Sequence, residues 1–358
     1  MLTRSFTLPM AAAFVTILSQ AVAAPVPTNL AGANTFPAPP AGFDAVHAGD
    51  DALSEFGFPA RPDPFRARAA YTAWARLISG AKTRVMPVLK ILPSRHRPMM
   101  AAASPRGGPR AGGVTGDSAG HQFNTGYSSN WSGEVLNDSA TSYGYGSFFA
   151  IWGQFNVPVA VQQYGVCTNG TEYSATWVGM DGGFGISPDV VQAGTESDAT
   201  CFSGFTTPDY YAWYEWYPSY SVAISNFSVS PGQDIDVEVA ANSSTSASMF
   251  MTNETTNQYV SITFYAPRGT AFVGNTAEWI VERPEVSSAL ATLTNYGIQY
   301  MTSTVSLVSG RSSPVWGGAG AFEIPLTLVT MLQNNAAISV PFPLGFDGLV
   351  VTATGAAQ

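Results

Sequence analysis

Charge is what this chain is short of: only 11% of its 358 residues are Asp, Glu, Lys or Arg. It has two cysteines, Cys167 and Cys201, too few for a disulfide scaffold or a thiolate-rich zinc site. Its histidines are His47, His96 and His121, and only the last lies beyond residue 110. That leaves little from which to build a catalytic metal centre or a Ser–His–Asp relay. The H-E-x-x-H, P-loop and aspartic-peptidase D-T-G or D-S-G signatures are all missing. No apolar run is long enough to span a bilayer. The chemistry to be expected therefore uses no metal and no cofactor.

Lysine is absent after Lys90, and the charges that remain are split by position. Residues 24–110 carry eleven Lys and Arg against five Asp and Glu, a balance of +6. Residues 111–358 carry Arg268, Arg283 and Arg311 against nineteen carboxylates, a balance of −16. A basic leader thus precedes an acidic body, and a body of that sign excludes ordinary nucleic-acid binding.

The first 23 residues read as a signal peptide: Arg4, the short apolar run Met10–Leu18, then Ala21-Val22-Ala23 as the cleavage signal. Export to an oxidising compartment, extracellular or periplasmic, makes Cys167–Cys201 an expected disulfide. Closing that loop stabilises the fold by about 4 kcal/mol on the chain-entropy model. Residues 24–60 read as a Pro/Ala/Gly-rich linker. From Pro64 to Leu92 the pattern is helical, with Phe65, Ala69, Trp74, Leu77, Ile78, Ala81 and Val85 near one face. A basic amphipathic helix can lie on a membrane. Between a signal and an acidic domain it reads better as a pro-segment docked on that domain as an intramolecular inhibitor. Residues 93–116, rich in Pro, Gly and Arg, read as exposed and open to nicking. The expected domains are 1–23, 24–113 and 114–358.

From about residue 121 the chain reads all-β. Ile235, Val237 and Val239 alternate with Asp234, Asp236 and Glu238; Val260, Ile262 and Phe264, Ile298 and Tyr300, and Leu349–Thr352 continue the pattern. Turn-forming clusters separate these runs, so an antiparallel sandwich or barrel is expected. Gly116-Asp117-Ser118-Ala119-Gly120 matches G-x-S-x-G, but its only nearby base, His121, is too close in sequence to be turned onto Ser118.

Three stretches then set carboxylates or amides among tryptophans and tyrosines. They are Trp177–Gly183 with Val190-Val191-Gln192-Ala193-Gly194, Tyr211–Pro218, and Asn275–Pro284. In the last, alternation puts Ala277, Trp279 and Val281 on one strand face and Glu278, Ile280 and Glu282 on the other. These motifs, W-V-G-x-D-G, V-Q-x-G, A-W-Y-E-W-Y-P and N-x-A-E-W-I-V-E, resemble in order and spacing those of the glutamic peptidases, the secreted, pepstatin-insensitive eqolisins. The resemblance runs from Asn130 through Glu282. It implies a sandwich of two large antiparallel sheets and a monomer acting on polypeptide substrates. It places the catalytic glutamine on Gln192 and the catalytic glutamate on Glu278. Trp177, Asp181, Trp213, Glu215 and Tyr217 fall on positions that line or brace the family's cleft. Tyr211 stands where some members have an acid, and the Gly183–Asp189 loop looks different, which bears on subsite preference.

The chemistry is intelligible from the residues themselves. A glutamate exchanges protons near ~pH 4.3, where histidine bases stay protonated. A glutamine never ionises, and can hold a water through its oxygen while its NH2 steadies an oxyanion. Two other readings of the same residues remain at this point: a jelly-roll glycosidase using Glu215 and Glu278, or a lectin-like module stacking sugars on the tryptophans. Six N-x-S/T sequons, at Asn130, Asn137, Asn169, Asn226, Asn242 and Asn253, are candidate glycan sites.

Overall fold

Every side chain of the strand Thr276–Glu282 is buried, on both faces. Burying both faces of one strand requires a layer on each side. A computed structural model of the chain describes residues 25–355 except 106–113, 117–121, 138–147, 164–166, 168, 309–314, 317–325 and 346. The expected signal peptide, and Asp117–Gly120 with His121, lie outside the described residues.

Strands that bear on the site are numbered in chain order. The leader supplies β1 (Leu89–Ile91) and β2 (Ser94–Arg95). The body supplies β3 (Trp131–Asn137), β4 (Ala175–Met180), β5 (Val191–Phe202), β6 (Phe205–Trp216) and β7 (Val222–Ile224). It continues with β8 (Thr276–Glu282), β9 (Glu285–Val286) and β10 (Leu326–Gln333). The site-bearing sheet runs β10–β3–β8–β4–β5–β6–β7–β1, each neighbouring pair antiparallel. A second antiparallel sheet packs against it, centred on Phe148–Asn156, Asp234–Ser243 and Ile298–Val308. The expected sandwich of two large sheets is the observed fold.

Between the sheets lies a core in which Val178, Val191 and Trp279 of one sheet meet Ile151, Phe155, Val237 and Ile262 of the other. Trp279 Nε1–H donates to the Trp152 carbonyl at 2.7 Å, giving the buried indole its partner. The sheets approach so closely here that a Cβ on Gly153 would sit 2.7 Å from Val178 Cγ1. Cys167 and Cys201 are joined as a disulfide, with a Cα–Cα distance of 5.3 Å.

The leader supplies outer cover. Helix α1 (Arg68–Gly80) buries Ala69, Ala70, Ala73, Trp74, Leu77 and Ile78 against Trp152, Phe250, Tyr259 and Val305 on the outside of the second sheet. Burying Trp74, Leu77 and Ile78 stabilises this docking by about 1.5–3 kcal/mol each. The helix is shorter than the pattern implied. Phe65 is 94% exposed and outside it, and after Gly80 the chain extends into Thr83–Arg84 and β1. Pro87 lacks the N–H a helix would need there.

Two further expectations are corrected. Asp236 and Glu238, which alternation assigns to a solvated face, are buried because α1 covers that face, and Arg76 Nε donates to Asp236 at 3.0 Å. On Ile298–Val308 the parity is inverted: Ile298 and Tyr300 are exposed while Gln299 and Met301 are buried. Gln299 is tolerated inside because its amide donates to the Asn156 and Tyr300 carbonyls and its oxygen accepts from Thr176.

Candidate active site

Strand register brings the site together. Pairing sets Glu278 on β8 opposite Gly179 on β4, Gly179 opposite Gln192 on β5, and Gln192 opposite Glu215 on β6. Two residues along, Ile280, Trp177, Gly194 and Trp213 form the next row; two further, Glu282, Ala175, Glu196 and Tyr211 form a third. Alternation puts all three rows on one face of the sheet, away from the core between the sheets. That face carries a second apolar cluster of Trp131, Trp177, Trp213 and Ile280, with Tyr211 and Tyr217 packed around it.

Gly179 is the gap in the first row. A Cβ there would lie 2.9 Å from Gln192 Cβ and 2.9 Å from Trp177 Cζ3. Its absence lets the Gln192 and Glu278 side chains share one space. Gln192 Oε1 and both carboxylate oxygens of Glu278 are buried and make no hydrogen bond of ordinary geometry among the described residues. Burial pushes the Glu278 pKa well up; Thr276 and the Gly183 amide oppose the rise, and the charge of Asp181 adds to it.

The bracing residues have definite roles. Trp177 Nε1–H donates to Glu282 at 3.0 Å, and Trp131 packs edge-on against Trp177 at 5.0 Å. Asp181, in a left-handed turn (φ 72°) just after β4, accepts from the Val273 and Asn275 amides at 2.8 and 2.9 Å. It thereby fixes the segment that feeds Glu278 into β8. Burial raises its pKa while those amides hold it down. The Tyr217 amide donates to the Val190 carbonyl at 2.9 Å, tying the end of β6 to the start of β5.

The cleft is occupied by the leader, which corrects the expectation that residues 93–116 are uniformly exposed. Strand β2 pairs with β9, and the chain then crosses the site. The imidazole of His96 is fully buried and stacks on Trp213, centroids 3.7 Å apart and planes 6° apart. Its Nδ1 lies 3.0 Å from Glu215 and its Nε2 3.2 Å from Glu196, and the His96 amide donates to Glu215 at 2.9 Å. Ser221 also donates to Glu215, at 2.8 Å. Gln192 Nε2–H donates to the His96 carbonyl oxygen at 2.7 Å. Beyond it, the Arg97 amide donates to Glu282 at 3.2 Å and the Arg97 guanidinium to Glu285 at 2.6 Å. Asn130 Nδ2–H donates to the Arg97 and Pro98 carbonyls, at 3.2 and 3.3 Å.

All seven residues named from the sequence thus lie on or beside one face, and the resemblance missed several others. Alternation already set Glu282 on the face of Glu278, and Glu196, four positions beyond Gln192, could have been found the same way. Burial raises the pKa of both, and of Glu215. His96, Ser221 and Asn130 carried no such signal, since their roles depend on contacts across the chain.

Residues 129–340 match the family model described as "Peptidase A4 family". The chain is 33% identical over 201 residues to aspergillopepsin-2 of Aspergillus niger, covering 52% of this chain and 67% of that protein. It is 34% identical over 155 residues to scytalidopepsin B of Scytalidium lignicola, covering 43% of this chain and about half of that protein (51%). Among solved structures it resembles scytalido-glutamic peptidase bound to a transition-state analog, with a TM-score of 0.51 at 24% identity over 63% of this chain and 98% of that one. That likeness bears on the fold.

Proposed function

This chain belongs to the peptidase A4 family and is a peptide hydrolase, and we propose that it is an exported acid endopeptidase, made as a zymogen, in which Gln192 and Glu278 activate a water. The observation that carries this reading is the Gln192 amide donating to a peptide carbonyl, that of His96, on the side chain's shared space with Glu278. In a substrate complex that N–H sits where the oxyanion develops, a contact worth about 3–4 kcal/mol in the barrier. Glu278 takes a proton from the attacking water and returns one to the leaving amine.

The leader blocks this machinery toward other substrates. While it fills the cleft, burial holds the Glu278 pKa above the usual carboxyl range. With the leader gone, water reaches the carboxyl and the desolvation that raises its pKa is relieved, which suits a base working in acid solution. Export rests on the sequence of the first 23 residues. Consistent with it, no helix among the described residues is long and apolar enough to cross a membrane.

The glycosidase reading loses its geometric basis. Glu278 and Glu215 are three strands apart in one row, about 14 Å at the usual strand spacing. Paired glycosidase carboxylates lie about 5–9.5 Å apart.

The test is digestion of a denatured protein by the processed enzyme in acid, with and without pepstatin. Glu278→Gln and Gln192→Ala should each lower kcat by about 10²–10³ or more with the fold intact. A Glu278→Gln enzyme retaining a tenth of the wild-type rate would overturn the assignment.

A further inference from the structure

The leader is not simply lying over the cleft; one of its peptide carbonyls accepts a hydrogen bond from Gln192. We infer that the His96–Arg97 peptide bond is a self-processing site, cut intramolecularly by the cleft that holds it. This rests on the peptidase reading of Gln192 and Glu278 and goes beyond it by naming the bond.

Three observations mark that bond. Gln192 Nε2–H donates to the His96 carbonyl at 2.7 Å, which singles out this carbonyl among the described leader residues. The nitrogen of the same peptide bond, Arg97 N, is held through its hydrogen by Glu282 at 3.2 Å. Both flanks are clamped. Upstream, β2 pairs with β9, and His96 is fixed by Trp213, Glu215 and Glu196. Downstream, Asn130 holds the Arg97 and Pro98 carbonyls, and the Met99 amide donates to the Gly182 carbonyl at 3.0 Å. Fixing a reacting bond from both sides is the arrangement that converts a bimolecular hydrolysis into an effectively unimolecular one.

The step balances with water alone. Water adds to the His96 carbonyl carbon as Glu278, in its ionised form, takes the proton. The oxyanion rests on the Gln192 amide. Collapse breaks the carbon–nitrogen bond, and Glu278 returns the proton to the Arg97 nitrogen. One product ends in the His96 carboxylate and the other begins at the Arg97 amine. The first cut therefore falls well upstream of residue 113, where the composition of the leader placed the boundary.

The full-length wild-type chain, purified at neutral pH, is held at intervals from about pH 3 to pH 7 and followed by intact mass and N-terminal sequencing. The expected result is a chain beginning at Arg97 and a fragment ending at His96, at a rate unchanged by ten-fold dilution. The Glu278→Gln chain should stay whole. A peptide of residues 92–101 given to processed enzyme should be cut at the same bond. A processed enzyme that digests denatured protein in acid, but whose first cut lies elsewhere or whose cutting slows on dilution, overturns the inference and leaves the peptidase reading standing. An unprocessed chain with no proteolysis of any substrate overturns both.

Discussion

Gln192 and Glu278 stand in one row of a β-sheet, two strands apart, with only Gly179 between them. The partnership depends on a missing side chain as much as on the two that are present.

The first prediction follows directly. Gly179→Ala puts a methyl 2.9 Å from Gln192 Cβ, 2.9 Å from the Trp177 ring and 3.0 Å from the Val191 carbonyl. Overpacking of this kind costs about 1–3 kcal/mol. Activity should fall at least ten-fold through kcat, with a modest loss of Tm. A Gly179→Ala enzyme of normal kcat would show that the space between the pair is not needed.

The leader's hold on the body should be partly polar and partly apolar. His96 bridges Glu196 and Glu215, and Arg97 and Arg76 meet Glu285 and Asp236. Helix α1 adds an apolar face built on Trp74 and Leu77. Separately made leader carrying His96→Ala should inhibit processed enzyme at least ten-fold less well, about 1.4 kcal/mol. Salt should weaken wild-type inhibition without abolishing it. Inhibition indifferent to both changes would remove His96 as the anchor.

Stability of the leader-bound chain, kept whole by Gln192→Ala, should be highest in acid. Burial, the largest cause in each case, raises the folded-state pKa of Asp181, Glu196, Asp198, Glu215, Asp236, Glu238, Glu278 and Glu282. A raised carboxyl pKa means that the folded state binds more protons than the unfolded one. The linkage slope is then negative: stability is complete below the unfolded values near ~4 and is lost as pH climbs through the folded ones. Glu196 is raised to about 8, so the window extends at least that far. The −16 charge of residues 111–358 points the same way, but desolvation is the larger cause. Melting temperatures from about pH 3 to pH 8 at low salt check it; a steady rise would refute it.

Of the six sequons, Asn130 and Asn253 should carry no glycan. Both are buried and bonded: Asn130 to Met100, Arg97, Pro98 and Glu282, and Asn253 to Ser228 and Gln233. Asn169 and Asn242 are exposed. Glycopeptide mass spectrometry after expression in a glycosylating host should find sugar, where present, on exposed sequons; sugar on Asn130 would mean the leader segment packs differently.

The sheets were legible because period-two alternation survives wherever one face is apolar, as in Ile235, Val237 and Val239. It misled where the other face was covered too. Asp236 and Glu238 read as solvated because nothing local says that α1, more than 150 residues upstream, lies over them. Gln192 and Glu278 were named through motif order, since neither carries a local signature of its own. His96 was unreadable: a histidine in a Pro/Arg-rich stretch looks like loop until Trp213, Glu215 and Glu196 are brought round it.

Strand β1 pairs with β7 at one edge of the site-bearing sheet, and Ala33–Thr35 pairs with Gln258–Tyr265 at an edge of the other. Removing the leader therefore bares two rows of backbone donors and acceptors, ready to accept any extended chain as a further strand. A body freed of residues 24–96 should thus be stickier than the whole chain. Its refolding after denaturation should lose more to aggregation, because the segment that shielded both edges during the first folding is gone.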